Sequence, residues 1–178
     1  KIAITSGRPQ TTRHTIRGIV NKPEGQLVLI DTPGVHRPRT LLGERLNALV
    51  ADTWSEVDVV VMCFPANEPI GPGDRFIAEQ IAPLTKVKKI AVVTKIDSVD
   101  KQAVGEQLLS VSKLATQLDF EWSEIVPVSA VSDVQIDLLG DLLLSNLPEG
   151  EALYPNGELT DEPEQIRSEE HTSELQSH

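Results

Sequence analysis

Short apolar runs rich in β-branched residues, separated by amphipathic stretches of helix length, set the architecture open to this chain. The runs are Gln26–Asp31 (QLVLID), Val57–Phe64 (VDVVVMCF), Lys89–Thr94 (KIAVVT) and, more weakly, Ser123–Val128 (SEIVPV). Their near-continuous apolar character is that of strands covered on both faces, as parallel strands are. Between them Leu42, Leu46, Leu49 and Val50 fall on one helical face. Val104, Leu108, Val111, Ala115 and Leu118 hold such a face for about four turns, Phe76 to Ile81 mark a third helix, and Leu138 to Leu147 a fourth that stops before Pro148. Strands alternating with helices predict an α/β fold with a mostly parallel sheet and helices on both faces.

At 178 residues and 39% hydrophobic content, one globular domain is expected. The formal charge of −11 argues against a nucleic-acid-binding surface in this part of the molecule, because neutralising phosphates needs clustered Lys and Arg. The single cysteine, Cys63, lies inside an apolar run and reads as a small buried hydrophobe in an intracellular chain. The longest apolar stretch is far short of a bilayer span. From Asn146 the sequence turns Pro-, Gly- and acid-rich, as a linker does, and Arg167–His178 (RSEEHTSELQSH) lacks periodicity altogether. That tail resembles a translated sequencing-library adapter and is left out of the fold.

In α/β sheets ligands bind outside the carboxyl ends of the strands. The first run ends in Asp31-Thr32-Pro33-Gly34, the third in Thr94-Lys95-Ile96-Asp97, and the fourth is followed by Ser129-Ala130. Alone, Asp31-Thr32-Pro33-Gly34 could be a plain turn, since Asp, Pro and Gly are turn formers. A charge-decorated helix start would account for Thr94–Asp97, and Ser-Ala is common anywhere. The order and placement of all three on strand exits point further: the set resembles the nucleotide-binding motifs of the P-loop GTPases. Donor and acceptor chemistry agrees. Asp31 can hold Mg²⁺ through water, and Gly34 can bring a backbone N–H to a γ-phosphate because no Cβ intervenes. Asp97, acceptor-only when ionised, matches the two N–H donors on the guanine edge. Lys95 would lay its stem over the base, and Ala130 would offer its N–H to the guanine carbonyl.

Beyond these shared motifs, Lys1–Gln165 resembles the GTPase domain of the Era-like GTPases, a bacterial ribosome-assembly family. The resemblance is carried by KIAITSGRPQTTRHTIRGI at the start, DTPGVHRPRTLLGERLN after the first run, and YPNGELTDEPEQ in the linker. It implies binding of GTP or GDP with Mg²⁺, slow GTP hydrolysis, and action in small ribosomal subunit assembly. The nucleotide-binding set would be Asp31, Thr32, Pro33, Gly34, Val35, Thr94, Lys95, Ile96, Asp97, Ser129 and Ala130, with Mg²⁺ at Asp31 and at Thr12, favoured over Thr11. Residues 1–148 are then a partial GTPase domain, 149–166 a linker, and 167–178 the foreign tail.

Departures from the family pattern bear on activity. Thr94 stands where Asn is common, so an amide contact that would tie the base to the phosphate loop is replaced by a shorter hydroxyl, and weaker nucleotide affinity with intact guanine preference is expected. Val35 stands where Ras-like enzymes place a Gln, and a valine cannot orient water, so the catalytic group is unassigned and hydrolysis should be slow. His36 is a conceivable replacement, although a His on such a loop is more often simply solvent-exposed. The phosphate loop, GxxxxGKS or GxxxxGKT, does not occur in the 178 residues. The resemblance places it, with a first strand and first helix, just ahead of Lys1, and places an RNA-binding KH domain after the linker. Guanine nucleotide would be the direct partner, and the small subunit and its rRNA would be reached through the KH domain. The location implied is cytoplasmic, with peripheral attachment at the inner face of the cell membrane as an open addition. Without the phosphate loop, these residues by themselves are expected not to bind GTP measurably. The alternatives are a nucleotide-sensing module with negligible turnover, or a pseudo-GTPase.

Overall fold

A computed structural model describes residues 4–5, 17–31, 50, 52–54 and 56–154. The strands are β1 (Ile4–Thr5), β2 (Arg17–Lys22), β3 (Gly25–Ile30), β4 (Val59–Pro65), β5 (Lys88–Thr94) and β6 (Glu124–Pro127). The helices are α1 (Pro72–Ile81), α2 (Lys101–Gln117) and α3 (Ile136–Ser145), with a 3₁₀ turn at Ile96–Ser98. Val50, residues 52–54 and Glu56 are also helical, while the rest of the Leu42–Val50 pattern lies outside the described residues.

One sheet holds the strands in the order β2-β3-β1-β4-β5-β6. β4, β5 and β6 pair in parallel, and β3 points the same way because both it and β4 run antiparallel to β1. The expected α/β class is therefore present, with helices on both faces. Along β5 the pleat sends Ala91 and Val93 into a cluster with Phe64, Val111 and Leu114. Ile90 and Val92 go the other way, against Val126, Leu139 and Leu143. All four β5 residues are fully buried, which is why this run shows no polar alternation.

Helix starts follow local chemistry. Pro72 opens α1, and Asp74 Oδ2 accepts the Gly71 N–H at 2.8 Å. Asp100 caps α2 by accepting the Ala103 N–H at 2.8 Å. Farther along α2, Gln107 is buried and donates its Nε2 to the carbonyls of Pro65 (3.1 Å) and Glu68 (3.0 Å), so the loop after β4 is tied to the helix.

Two features differ from the sequence expectation. The stretch Arg17–Lys22 is a strand, joined to β3 by a turn at Pro23-Glu24 and paired with it from Arg17–Ile30 to Lys22–Gly25. Its signal, Ile19-Val20 followed by Pro-Glu-Gly, is short and was hidden by the charged residues around it. The second feature is β1: Ile4–Thr5 enters between β3 and β4 and gives backbone partners to strands that would otherwise face each other unpaired there.

Candidate functional site

β5 and β6 pair in parallel from Ile90–Glu124 to Val93–Pro127, so the loops that leave them start side by side. Thr94 ends β5 half-buried, opposite Pro65, and its carbonyl accepts the Ala66 N–H at 2.8 Å. The chain then turns sharply because Lys95 adopts the left-handed conformation, φ 57° and ψ 34°. A non-glycine residue there is uncommon and is held by its surroundings. Here the Lys95 carbonyl accepts both the N–H (3.0 Å) and the Oγ (2.7 Å) of Ser98. The Ile96 N–H reaches across to the Val128 carbonyl at 3.4 Å. Ile96 packs against the core while Asp97 stays exposed.

The loop after β6 closes on itself. Ser129 and Val134 exchange both backbone hydrogen bonds, at 3.1 and 2.9 Å. Ser129 is fully buried, and its Oγ accepts the Ser132 N–H at 3.0 Å. With that lone pair taken, the hydroxyl proton is directed at Asp97 Oδ1, to which it donates. A buried, doubly bonded serine thus fixes an exposed carboxylate, whose second oxygen has no protein partner among the described residues. Ala130 follows directly, exposed in the turn. Lys95 Nζ stands 3.8 Å from Glu68 Oε1, both exposed, a pair contributing no more than about 1 kcal/mol. Gln107 holds the Glu68 carbonyl at 3.0 Å, so the backbone that carries this exposed partner is tied to α2.

The structure therefore brings Thr94, Lys95, Ile96, Asp97, Ser129 and Ala130 to one end of the sheet. Asp31 is placed differently. Leu29, Thr5 and Val59 stand in one row, whereas Thr94 is level with Pro65. Asp31, half-buried just past β3, lies about 13 Å short of the Thr94 row along the strand direction, taking roughly 3.3 Å per residue. Thr11, Thr12, Thr32, Pro33, Gly34, Val35 and His36 lie outside the described residues. Among the described residues no group of three or more His, Cys, Asp or Glu could hold a metal. Mg²⁺ at a nucleotide takes most of its ligands from phosphate and water, so a lone carboxylate such as Asp31 is a compatible donor without such a cluster.

Sequence reasoning missed the supporting residues. Ser132 and Gln107 act through a backbone N–H and a buried amide, and neither role leaves a mark at the level of residue type.

Residues 1–95 match the model of the family described as 50S ribosome-binding GTPase. The GTPase Era of Streptomyces coelicolor is 61% identical over 166 residues, covering 93% of this chain and 52% of that protein. That of Mycobacterium avium is 59% identical over 167 residues, covering 93% and 54%. Among solved structures, Era in complex with MgGDPNP and nucleotides 1506–1542 of 16S ribosomal RNA superposes with a TM-score of 0.74 at 32% identity, over 93% of this chain and 55% of that one. An Aquifex aeolicus Era variant bound to GDP·AlF4⁻ gives the same TM-score and identity. The chain spans about half the length of the curated relatives it matches. With more than half of its residues matched by the family model, and a sheet and loop arrangement that superposes on solved GTPases, the chain belongs to the 50S ribosome-binding GTPase family.

Proposed function

We infer that the intact protein binds guanine nucleotide with Mg²⁺, hydrolyses GTP slowly, and acts on the small ribosomal subunit and its rRNA. The observation that carries this reading is the hydrogen bond from Ser129 to Asp97, which joins the β5 and β6 loops into one base-reading corner. With Oδ1 accepting from Ser129 and keeping a second lone pair, the Asp97 carboxylate is held in one direction, and its two oxygens suit the two N–H donors that guanine has and adenine lacks. Charge-assisted bonds of this kind contribute about 1.5 to 3 kcal/mol, enough to separate GTP from ATP. Lys95 covers the base with its stem, Ala130 offers a backbone donor, and Asp31 with Thr12 forms the Mg²⁺ end, where the ion would neutralise phosphate charge. Thr32, Pro33, Gly34 and Val35 make up the segment that answers to the γ-phosphate. The likeness to Era, solved with MgGDPNP and a 16S rRNA segment, supports both the nucleotide and the rRNA partner.

Titration of the intact protein with GTP and ATP tests the reading, and equal affinity for the two would overturn it. Val35 favours a second reading, a nucleotide sensor with negligible turnover. Single-turnover GTP hydrolysis separates the two. No described helix is long and apolar enough to cross a membrane. The peripheral membrane association implied by resemblance is checked by co-flotation of the intact protein with anionic vesicles.

A further inference from the structure

Gln26, near the start of β3, extends its side-chain amide off the hairpin to the chain that leaves α3. Its Oε1 accepts the N–H groups of Leu153 (3.1 Å) and Tyr154 (3.0 Å), and its Nε2 donates to the Tyr154 carbonyl at 3.0 Å. Nε2 also donates to Asn21 Oδ1 at 2.8 Å, and Asn21 is the register partner of Gln26 on β2. The whole amide is used: the oxygen has two donors, and the nitrogen two acceptors. In effect one side chain pairs the exit segment to the hairpin as a strand edge would.

At its other end this segment is held by α3, where the Leu144 carbonyl accepts the Leu147 N–H at 3.1 Å. The intervening residues 148–152 are exposed. Segment and hairpin face each other across a cavity of about 810 Å³, whose lining includes Gly25, Val28, Leu144 and Leu147. The tip of the hairpin has a separate tie to α3, because Lys22 Nζ bonds Asp141 Oδ1 and, at 3.2 Å, the Asp137 carbonyl.

We propose that Leu147–Tyr154 is a strap latched by Gln26, so that the strap and the β2–β3 hairpin open as one unit. The N–H groups of Leu153 and Tyr154 donate to Gln26 on the hairpin, and among the described residues β2 pairs on one side only. A shift of β3 along the sheet carries the Gln26 amide with it, and the strap must follow or detach. Because the hairpin lies between Thr12 and Asp31 in sequence, the latch would connect the chain between these two proposed Mg²⁺-side residues to the path that leaves α3. That last consequence rests on the function proposed above, whereas the latch itself does not.

Native-state hydrogen exchange on the full chain without nucleotide tests the latch. In the unsubstituted protein Leu153 and Tyr154 should be protected and should open with the denaturant dependence of Leu27 and Val28 in β3. Gln26→Ala should speed exchange at Leu153 and Tyr154 by about tenfold or more, while Val111 and Leu114 in α2 stay unchanged as the check that the fold is intact. Lys22→Ala, which cuts only the tie to α3, should leave the strap amides within about twofold of their original rates. Unprotected strap amides, unchanged exchange in Gln26→Ala, opening with α3 and not with β3, or equal acceleration by Lys22→Ala would each overturn the proposal.

Discussion

Ser129, fully buried, donates its hydroxyl proton to Asp97, which is exposed, and the pair bridges two loops 32 residues apart in sequence. The direction of this bond is set by the Ser132 N–H, which occupies the serine oxygen from the other side at 3.0 Å. Orientation of the carboxylate is thus settled in the protein before any ligand arrives, and a preoriented acceptor loses less rotamer freedom on binding.

Removing the hydroxyl tests that argument. In the intact protein Ser129→Ala should weaken GTP binding by roughly tenfold, about 1.4 kcal/mol, since Asp97 keeps its charge but loses its orientation. Guanine should remain preferred over adenine. Thermal unfolding should show a stability loss of about 1 kcal/mol from the missing hydrogen bond. GTP affinity equal to that of the unsubstituted protein would mean that Asp97 is oriented by the turn alone.

Changing the acceptor itself should alter the base that is read. Asp97→Asn in the intact protein replaces one oxygen with a donor, which suits the xanthine carbonyl and opposes the guanine N–H groups. GTP affinity should fall by about tenfold or more and XTP affinity should rise. Fluorescent analogues of both nucleotides measure this, and unchanged GTP affinity would remove Asp97 from the base-reading role.

These residues show where legibility ended. Asp97 and Lys95 were readable because Thr-Lys-Ile-Asp follows a run of buried β-branched residues, and strand exits are where ligands sit. Ser129 was readable by the same placement. The fully buried β5 was legible because its residues lack polar alternation, and α2 because Val111 and Ala115, both buried, repeat at helical spacing. The β2 half of the hairpin was not, since among the described residues β2 lies at the sheet edge, with an exposed Val20 and charged or polar neighbours, and so lacks the apolar continuity of the inner strands. The stagger that separates Asp31 from the Thr94 row also has no local signature. Register is a relation between strands, and here it depends on Thr5 meeting Leu29 on one side and Val59 on the other.

Cys63 sits half-buried in β4, where burial pushes its thiol up to about 11. At pH 8 about one molecule in a thousand would then carry the thiolate, against about one in four for an exposed cysteine near 8.5. Iodoacetamide should therefore label the folded protein at least about a hundredfold more slowly than the urea-unfolded chain. The folded rate should climb about tenfold per pH unit up to pH 10. Labelling at comparable rates in both states would show that the thiol is open to solvent.

Lys89 gives the opposite pH signature from a neighbouring strand. Its side chain is nearly buried, with Nζ donating to the Leu84 carbonyl at 2.6 Å and the Val87 carbonyl at 3.4 Å, and lying 5.8 Å from the centre of the Phe120 ring. Carbonyls and an aromatic face favour the ammonium form, yet the loss of solvent outweighs them and lowers the pKa below the ordinary 10.5. The sign follows by linkage. As pH falls from 10.5 the unfolded chain binds this proton first, so the folded state loses stability down to the folded pKa and holds level below it. Stability should accordingly rise with pH through the window just below 10.5. Replacing Lys89 with Met removes that rise and keeps most of the aliphatic volume, while leaving the two carbonyls to solvent or to relaxed geometry. Cys63 contributes the reverse slope near the same pH, but it is common to both proteins and cancels in their difference. Urea unfolding of the unsubstituted protein and of Lys89→Met at several pH values between 7 and 10 gives that difference directly. The unsubstituted protein should gain on the variant as pH rises. Curves that stay parallel across the range would show that the ammonium keeps enough solvent to titrate as it does in the unfolded chain.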